Sequence, residues 1–270
     1  MHELTGKTAF VTGGAQGIGL GIAHECAAKG MKVAIVDVDE QALREAEQEL
    51  SRKTDVVAMV LDVRDREAYA EVADRVEAQL GNVTLLCNNA GVAGNTTVTN
   101  LSYAAWDWVV GINLTGVYNG IQTFVPRMIE RNEPAHILNT ASGAGLLGAG
   151  AGFLYSASKF GVVGLSEALR TELEPHNIGV SVLCPSAVAT GIISNTTASA
   201  PKVDQGPTVM AGLDDRLQVF AKMLAHGATP DQVGRMAIDA VRENRLYVLT
   251  DSLLKEWLEK RTAEIIDAMP

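Results

Sequence analysis

Features that mark several common classes of protein are scarce or missing in this sequence of 270 residues. The three cysteines, Cys26, Cys87 and Cys184, lie far apart and form no C-x-x-C pair, which argues against a disulfide framework or a zinc site. We expect each to be a buried thiol within an apolar pattern. The five histidines share no ligand spacing, so no metal site is expected. No apolar run approaches the ~20 residues of a membrane span.

Positive charge is also scarce. The chain has 22 Lys and Arg against 32 Asp and Glu, a formal net charge of -10, and no basic run. Nucleic acid and anionic membranes attract basic surfaces, so neither is expected as a partner. Residues 1–3 lead into a strand without a basic segment and an apolar core, which predicts no secretory signal and a cytoplasmic location.

Short β-rich runs alternate with longer helical patterns along the whole chain. Seven runs predict strands: Thr8 to Thr12, Val33 to Asp37, Val56 to Leu61, Val83 to Asn88, His136 to Thr140, Val180 to Cys184 and Leu246 to Thr250. Helices are predicted over Glu40 to Lys53, Asp65 to Leu80, Tyr103 to Arg131 and Tyr155 to Glu174. The runs are continuously apolar, as in strands buried on both faces of a parallel sheet. The pattern predicts an α/β, doubly wound Rossmann fold of about seven strands in one domain over 1–270.

One long segment, 186–228, is rich in Thr, Ser, Ala and Gly and has little pattern. Loops of this length in a compact domain are usually functional or disordered, and we expect a substrate lid. The segment ends at Thr229, which can cap a helix, followed by Pro230 in the first turn and Gln232 completing a capping box.

Glycines cluster over 12–19, after the first predicted strand and before a helix. Such a loop lets the backbone approach a pyrophosphate, which the helix N-terminus stabilises. Asp37 ends the next strand, where a carboxylate accepts hydrogen bonds from ribose hydroxyls and repels a 2′-phosphate. With no Arg or Lys at 14–16, this favours NAD over NADP. The alternative for Asp37 is a helix or turn cap, a role for which Asp39 is better placed.

Tyr155 and Lys159 are four residues apart and share a face of a predicted helix, with Ser142 thirteen residues upstream. Oxidising a secondary alcohol requires a base near the hydroxyl, and Tyr155 is our candidate. A free tyrosine has a pKa near ~10, and a neighbouring ammonium group lowers it. Ser142 can donate to the substrate oxygen; alternatively, it caps the next segment. Asn113 interrupts a helical pattern, either for a role in the site or through a local bond to the backbone.

Together these motifs resemble the short-chain dehydrogenase/reductase family over nearly the whole chain. The matching motifs, in family order, are T-G-x-x-x-G-x-G at 12–19, Asp62-Val63, Asn88-Asn89-Ala90-Gly91, Asn113, Ser142, Tyr155 with Lys159, and 185–190. The family commonly has glycine after the proline of the last motif, where this chain has Ser186. Serine removes the freest backbone position from that loop.

The resemblance implies an NAD-binding site. Its expected residues are Gly13, Gln16, Gly17, Ile18, Gly19, Asp37, Asp62, Val63, Asn89, Ala90, Gly91, Tyr155, Lys159, Pro185, Val188 and Thr190. In the family, Asp62 and Val63 would bracket the adenine, while Val188 and Thr190 would meet the nicotinamide carboxamide. Lys159 would hold the nicotinamide ribose. The catalytic set would be Ser142, Tyr155, Lys159 and Asn113, with Asn113 holding a water that links Lys159 to solvent.

The substrate side is predicted from residues 143–154, which carry no charge and are mostly small. The expected contacts are Ser142, Gly143, Ala144, Leu147, Phe153, Tyr155 and Ile192. An apolar cleft suits a bulky hydrophobic or aromatic secondary alcohol or ketone. Residues 136–142 and 246–250 resemble a bacterial branch that includes Cα-dehydrogenases of lignin-derived aryl ethers. One alternative is a 3-oxoacyl or other ketone reductase. Another is a catalytically silent NAD-sensing protein, and the intact acid/base set argues against this second alternative.

Self-association is a further expectation from the resemblance. The helices starting at Tyr103 and Tyr155 would pair across subunits in a homodimer or homotetramer. An amphipathic helix over 253–269 would close the pocket of its own or a neighbouring subunit.

Overall fold

The computed structural model describes residues 1, 3–94, 98, 101–148, 152–200, 224 and 226–270. One sheet of seven parallel strands has the order 3-2-1-4-5-6-7. The strands are β1 (Thr8–Thr12), β2 (Lys32–Asp37), β3 (Val56–Val60), β4 (Val83–Asn88), β5 (Ala135–Thr140), β6 (Ile178–Cys184) and β7 (Tyr247–Leu249). The prediction of a doubly wound α/β Rossmann fold is therefore confirmed.

Helices flank the sheet. They are α1 (Gly17–Ala28), α2 (Glu40–Leu50), α3 (Arg66–Leu80), α4 (Tyr103–Val110), α5 (Gly116–Arg131), α6 (Phe153–Leu173), α7 (Ile192–Ser199), α8 (Pro230–Glu243) and α9 (Lys255–Asp267). None of the described helices is both long and apolar enough to cross a membrane.

The central strands are buried because side chains cover both faces of the sheet. Every residue of β1, β4 and β5 is buried. On one face the core includes Ile22 of α1 and Val233 of α8. On the other face Phe10, Tyr69 and Phe124 form an aromatic cluster, with the rings of Phe10 and Phe124 4.8 Å apart. Continuous apolar strands thus have the two-sided burial that their sequences predict, and all three cysteines are buried.

The helix predicted over Tyr103 to Arg131 is not continuous. A π-helical turn, Gly111–Thr115, separates α4 from α5 and carries Asn113. Gly111 and Asn113 are poor helix formers, and the Asn113 side chain bonds the backbone of Val92 instead of facing solvent. Single π turns of this kind are frequent at functional sites.

Helices α1 and α8 cross with their backbones in contact. A Cβ atom added at Gly21 would collide with the carbonyl oxygen of Pro230, and one added at Gly234 would collide with that of Gly21. The predicted capping box is present: the Thr229 hydroxyl accepts from the Gln232 amide (3.3 Å), and the Gln232 side chain accepts from the Thr229 amide (2.9 Å). The first turn of α8 is therefore fixed directly behind the helix that follows the glycine loop.

Buried polar groups tie the end of α8 to the sheet. Nε2 of His136 lies 2.8 Å from the Ser181 hydroxyl, which donates to the carbonyl oxygen of Arg245. The Arg170 guanidinium donates to the carbonyl oxygen of Asn244 at 2.8 Å. The last helix, α9, differs, since none of its 13 residues is buried.

The predicted lid, 186–228, begins and ends side by side. Val188 and Ala228 form a parallel β-bridge, and the Ala189 amide donates to the Ala228 carbonyl oxygen at 2.9 Å. Helix α7 lies within this segment. Residues 201–223 and 225 of the predicted lid lie outside the described residues.

Candidate active site

The glycine loop over 12–19 joins the end of β1 to α1. Gly13 and Gly17 have positive φ of 61° and 53°, which explains glycine at both positions. A side chain at Gly19 would collide with the Gly13 carbonyl oxygen. Gln16, the N-cap of α1, makes no side-chain capping bond. The first amides of α1 are therefore not capped by that side chain, the arrangement that binds phosphate oxygens.

Asp37 lies beside this loop at the end of β2. One carboxylate oxygen accepts from the amides of Val38 (2.8 Å) and Asp39 (3.2 Å), and the other lies 3.4 Å from the Ala15 amide. Burial raises the pKa of Asp37, and these backbone bonds partly offset that rise. Asp39 instead caps α2 by accepting from the Ala42 amide at 3.0 Å. The helix cap is thus Asp39, as its position in the sequence favours.

Asp62 and Val63, the residues expected beside the adenine, lie in different surroundings. Asp62 forms a salt bridge with Arg64 at 2.6 Å, and the hydrogen bond from Arg64 lowers the pKa of Asp62. Val63 is buried, and its carbonyl oxygen accepts from the Asn119 side chain at 2.8 Å.

The loop after β4 is bonded to the glycine loop. The Thr12 hydroxyl accepts from the amides of Asn89 (2.9 Å) and Ala90 (3.0 Å), and the Asn89 side chain donates to the Thr12 carbonyl oxygen at 3.1 Å. Thr12 was not among the predicted site residues, although it opens the glycine motif. Its hydroxyl fixes the distance between two loops expected to meet the same nucleotide.

Three of the predicted catalytic residues meet at the ends of β5 and α6. Tyr155 and Lys159 share a face of α6, with the Lys159 ammonium 5.7 Å from the centre of the tyrosine ring. Ser142 lies close enough to Tyr155 to lower the pKa of the tyrosine. Ser142 also accepts from the Ala144 amide at 3.1 Å, capping a short 3₁₀ turn. The capping role is therefore present, and donation from Ser142 to a substrate oxygen stays a prediction.

The electrostatic balance differs from the expected one. Burial raises the pKa of Tyr155, and the nearby Ser142 offsets only part of the rise. Burial lowers the pKa of Lys159 to about 8, while its Nζ donates to the Thr140 carbonyl oxygen at 2.9 Å. The expected lowering of the tyrosine pKa by Lys159 is not found in this structure, because loss of solvent dominates at both groups.

Asn113 is fully buried and joins three elements. Its side chain accepts from the Val92 amide (2.8 Å) and donates to the Val92 carbonyl oxygen (3.0 Å) and the Ser158 hydroxyl (3.2 Å). A Cβ atom added at Gly91 would lie 3.3 Å from the Asn113 oxygen and 3.4 Å from Nζ of Lys159. The side chain of Asn113 thus bonds the backbone, as one of the two alternatives predicts. Asn113 and Lys159 both lie close to Gly91.

The predicted substrate contacts surround the Ser142 turn and the start of the lid. The Gly143 amide donates to the Pro185 carbonyl oxygen at 2.9 Å, and the Leu147 amide donates to that of Gly143 at 3.0 Å. Phe153 is exposed at the start of α6, and Ile192 is half-buried at the start of α7. Residues 149–151 of the predicted pocket segment lie outside the described residues.

Helix α7, within the predicted lid, contacts the loop after β4 and the glycine loop through residues that sequence reasoning missed. The buried Thr196 hydroxyl accepts from the Ala93 amide at 2.8 Å, and the Asn195 side chain donates to that of Gln16 at 3.2 Å. The methyl group of Thr190 also lies close to the glycine loop, 3.2 Å from the position that a Cβ atom at Gly17 would occupy. A threonine in a Thr-rich segment gives no signal of such a contact. Over the described ranges, no group of three His, Cys, Asp or Glu is placed to hold a metal ion.

Known proteins are similar to this chain in sequence and in fold. The family model for short chain dehydrogenase matches residues 7–200. A C alpha-dehydrogenase of Sphingobium sp. is 35% identical over 271 residues, covering 100% of this chain and 88% of that protein. A 1-deoxy-11-beta-hydroxypentalenate dehydrogenase of Streptomyces exfoliatus is 36% identical over 79% of this chain and 78% of that protein. A crystal structure of a short chain dehydrogenase/reductase from Burkholderia phymatum in complex with NAD has a TM-score of 0.93 at 34% identity, covering 100% and 98% of the two chains.

The chain therefore belongs to the short-chain dehydrogenase/reductase family. It is an oxidoreductase that acts on the CH–OH group of donors, and NAD(P) is the coenzyme typical of its family.

Proposed function

We propose that this enzyme transfers a hydride between a bulky hydrophobic or aromatic secondary alcohol, or the corresponding ketone, and NAD, with Tyr155 as the general base or acid. The observation that carries the proposal is the position of Lys159 on the same helical face as Tyr155, 5.7 Å from the centre of its ring, with Ser142 close enough to lower the pKa of Tyr155. A binding protein has no chemical need for this set of groups, so a silent sensor is the weaker interpretation.

The residues present fit a dinucleotide. The glycine loop has no room for side chains at Gly13 and Gly19, and α1 begins without a side-chain cap. The coenzyme supplies hydride acceptance or donation when bound. Its pyrophosphate would lie on Gly17 and Ile18, its adenosine ribose on Asp37, and its nicotinamide end near Val188, Thr190 and Lys159, with the remaining predicted contacts between them.

The charges at the end of β2 support NAD in preference to NADP. A 2′-phosphate on the adenosine ribose would face Asp37, and Asp39 lies two residues beyond. A cavity of about 370 Å³ next to Ala15 is lined by Asp39, Glu45 and Glu49 and by no basic residue. Carboxylates repel a phosphate dianion, whereas the ribose hydroxyls of NAD donate to them.

Proton transfer is assigned to the residues around Ser142. Ser142 orients the substrate oxygen and Tyr155 exchanges its proton, so the oxygen must lie within hydrogen-bonding reach of both hydroxyls. In the loaded site the Lys159 ammonium, 5.7 Å from the centre of the Tyr155 ring, would act together with the positive nicotinamide ring to lower the pKa of Tyr155, which burial alone raises. Asn113 would hold a water that links Lys159 to solvent and returns the proton; its nearness to Lys159 beside Gly91 supports this role.

The substrate class follows from an apolar surface around Ser142. Gly143, Ala144, Leu147, Phe153 and Ile192 offer no charge to a sugar or a coenzyme-A thioester. The C alpha-dehydrogenase and the pentalenate dehydrogenase to which the chain is similar are named for dehydrogenase activity. We further propose that 186–228 acts as a lid within one domain over 1–270, and that the enzyme works in the cytoplasm as a homodimer or homotetramer.

The test is turnover of aryl and cycloaliphatic secondary alcohols with NAD and, separately, with NADP. Tyr155→Phe should lower kcat by about 10²–10⁴-fold and leave the dissociation constant for NAD unchanged. Tyr118→Phe is the matched control, because this exposed tyrosine bonds only Gln122 among the bonds described for its hydroxyl.

Full activity of Tyr155→Phe would remove the tyrosine from the mechanism. Reduction of acetoacetyl thioesters with NADPH, with no action on the alcohols, would refute both the substrate class and the coenzyme. NAD binding without any turnover by the unmutated chain would favour the sensor.

A further inference from the structure

Ser186, which stands where the family commonly has glycine, makes two hydrogen bonds to the segment after β7. Its hydroxyl donates to a carboxylate oxygen of Asp251 at 3.1 Å, and its amide donates to the Thr250 hydroxyl at 3.1 Å. Glycine could make only the second of these bonds. The side chain therefore links the loop after β6 to the start of the C-terminal segment.

Asp251 in turn organises the turn that leads into α9. The same carboxylate oxygen that binds Ser186 accepts from the Leu253 amide at 2.9 Å, and the other accepts from the Thr250 hydroxyl at 3.3 Å. An aspartate that bonds the amide two residues ahead fixes the local backbone direction. The position of Leu254, the next residue, follows from this turn.

Leu254 lies against the backbone beside the catalytic serine. A Cβ atom added at Gly143 would lie 2.5 Å from Cδ1 of Leu254, so the leucine occupies the space that a side chain at Gly143 would need. Leu254 is half-buried, whereas its neighbour Leu253 is 71% exposed. The contact is thus specific to one of two adjacent leucines, and Gly143 directly follows Ser142.

The packing of α9 is too slight to place Leu254 by itself. No residue of α9 is buried, and its described contact with α6 is the guanidinium of Arg261, 5.4 Å from the ring of Phe160. The hydrogen bonds at Asp251 are therefore the fixed point of this segment.

We propose that Leu254 forms a wall of the substrate pocket next to Ser142 and selects substrates by size, and that the bond between Ser186 and Asp251 positions it. The inference rests on the proposed function and adds the residue that would choose among apolar alcohols. Leu254 is a specificity residue; Ser186 and Asp251 are positioning residues that act through it.

The first test compares kcat/KM for a small and a bulky aryl secondary alcohol with NAD. Leu254→Ala should shift the ratio about tenfold towards the bulky substrate, because removing methylene groups from a pocket changes discrimination by this order. Leu254→Phe should shift the ratio in the opposite direction. Leu253→Ala is the control and should leave it unchanged. An active Leu254→Ala enzyme with the unmutated ratio overturns the proposal.

The second test examines the positioning bond. Ser186→Ala should shift the ratio in the direction of Leu254→Ala and speed amide hydrogen exchange over 251–258, whereas Ser186→Thr, which keeps a hydroxyl, should restore both. Unchanged exchange and an unchanged ratio in Ser186→Ala would overturn the role of this bond.

A third measurement does not need turnover. Gly143→Ala should lower Tm in the unmutated background and lower it less in a Leu254→Ala background, since the new methyl group would enter the vacated space. Additive effects would overturn the contact. An unmutated protein with no turnover refutes the proposed function and the selection with it, whereas an active enzyme with an unchanged ratio overturns this inference alone.

Discussion

The last two helices, α8 and α9, are of nearly equal length and are attached to the molecule in opposite ways. Six residues of α8 are buried, and its end is held by the buried His136 and Ser181. Helix α9 has no buried residue, and the turn that leads into it is organised by Asp251, which is exposed. Two amphipathic sequences thus give one helix that belongs to the core and one that is held by the turn before it. The former packs against α1, which follows the glycine loop, and the latter follows Leu254, which lies against Gly143.

A substitution where α1 and α8 cross should have the largest effect on stability, because this contact holds α8 in the core. Gly21→Ala should lower the free energy of unfolding by about 3 kcal/mol, because the new methyl group meets the backbone of Pro230, which cannot rotate away. Urea denaturation measures the change. Gly164→Ala, in α6, is the control: nothing lies within 4 Å of the added atom, and we expect a gain of about 0.5–1 kcal/mol. Equal effects at the two glycines would mean that the crossing is not tight.

Acid should loosen the attachment of α8. Burial lowers the pKa of His136 to about 3 from an ordinary 6.5. The folded state therefore binds this proton less readily than the unfolded state, and stability present above pH 6.5 is lost as the pH falls towards 3. Between pH 6.5 and 5 the loss from this group is about 2 kcal/mol. Urea midpoints measured across this range should fall in the unmutated protein and in the control His176→Gln, but this part of the fall should be missing in His136→Gln. A His136→Gln protein that loses as much stability in acid as the unmutated protein would contradict the prediction.

Removing α9 should have the smallest effect on stability. A chain ending at Ser252 loses only half-buried apolar contacts, such as those of Leu254 and Leu258, so its free energy of unfolding should change by about 1 kcal/mol. The denaturant slope should stay nearly constant, because little surface is buried by this helix. A loss of cooperative unfolding would show that α9 belongs to the core and would remove the contrast with α8.

The sheet was predictable from the sequence because continuous apolar runs identify parallel strands wherever they fold. The glycine loop, Asp39 as a cap and the capping box at Thr229 were also predictable, because each depends on neighbours within a few residues. Local chemistry and periodicity thus accounted for the framework and for the pairing of Tyr155 with Lys159, whereas Ser142 was grouped with them through the family resemblance.

Contacts between distant segments were not predictable. The side chain of Asn113 bonds Val92, and the hydroxyl of Thr196 accepts from the Ala93 amide. The partners lie far apart in the sequence, and no motif links them. The raised pKa of Tyr155 depends on how fully the packed site excludes water, which a motif does not encode. Likewise, Leu254 could be distinguished from Leu253 only once the Asp251 turn had set their directions.

The bridge between Val188 and Ala228 bears on how much the 186–228 segment can vary in length. It joins the two ends of the segment, so a change in length between them should have little thermodynamic consequence. Doubling such a loop adds only about 0.6 kcal/mol of closure entropy. Insertions and deletions there should leave the strand register untouched, so the proposed lid could be lengthened, or replaced by a grafted segment, with little risk to folding.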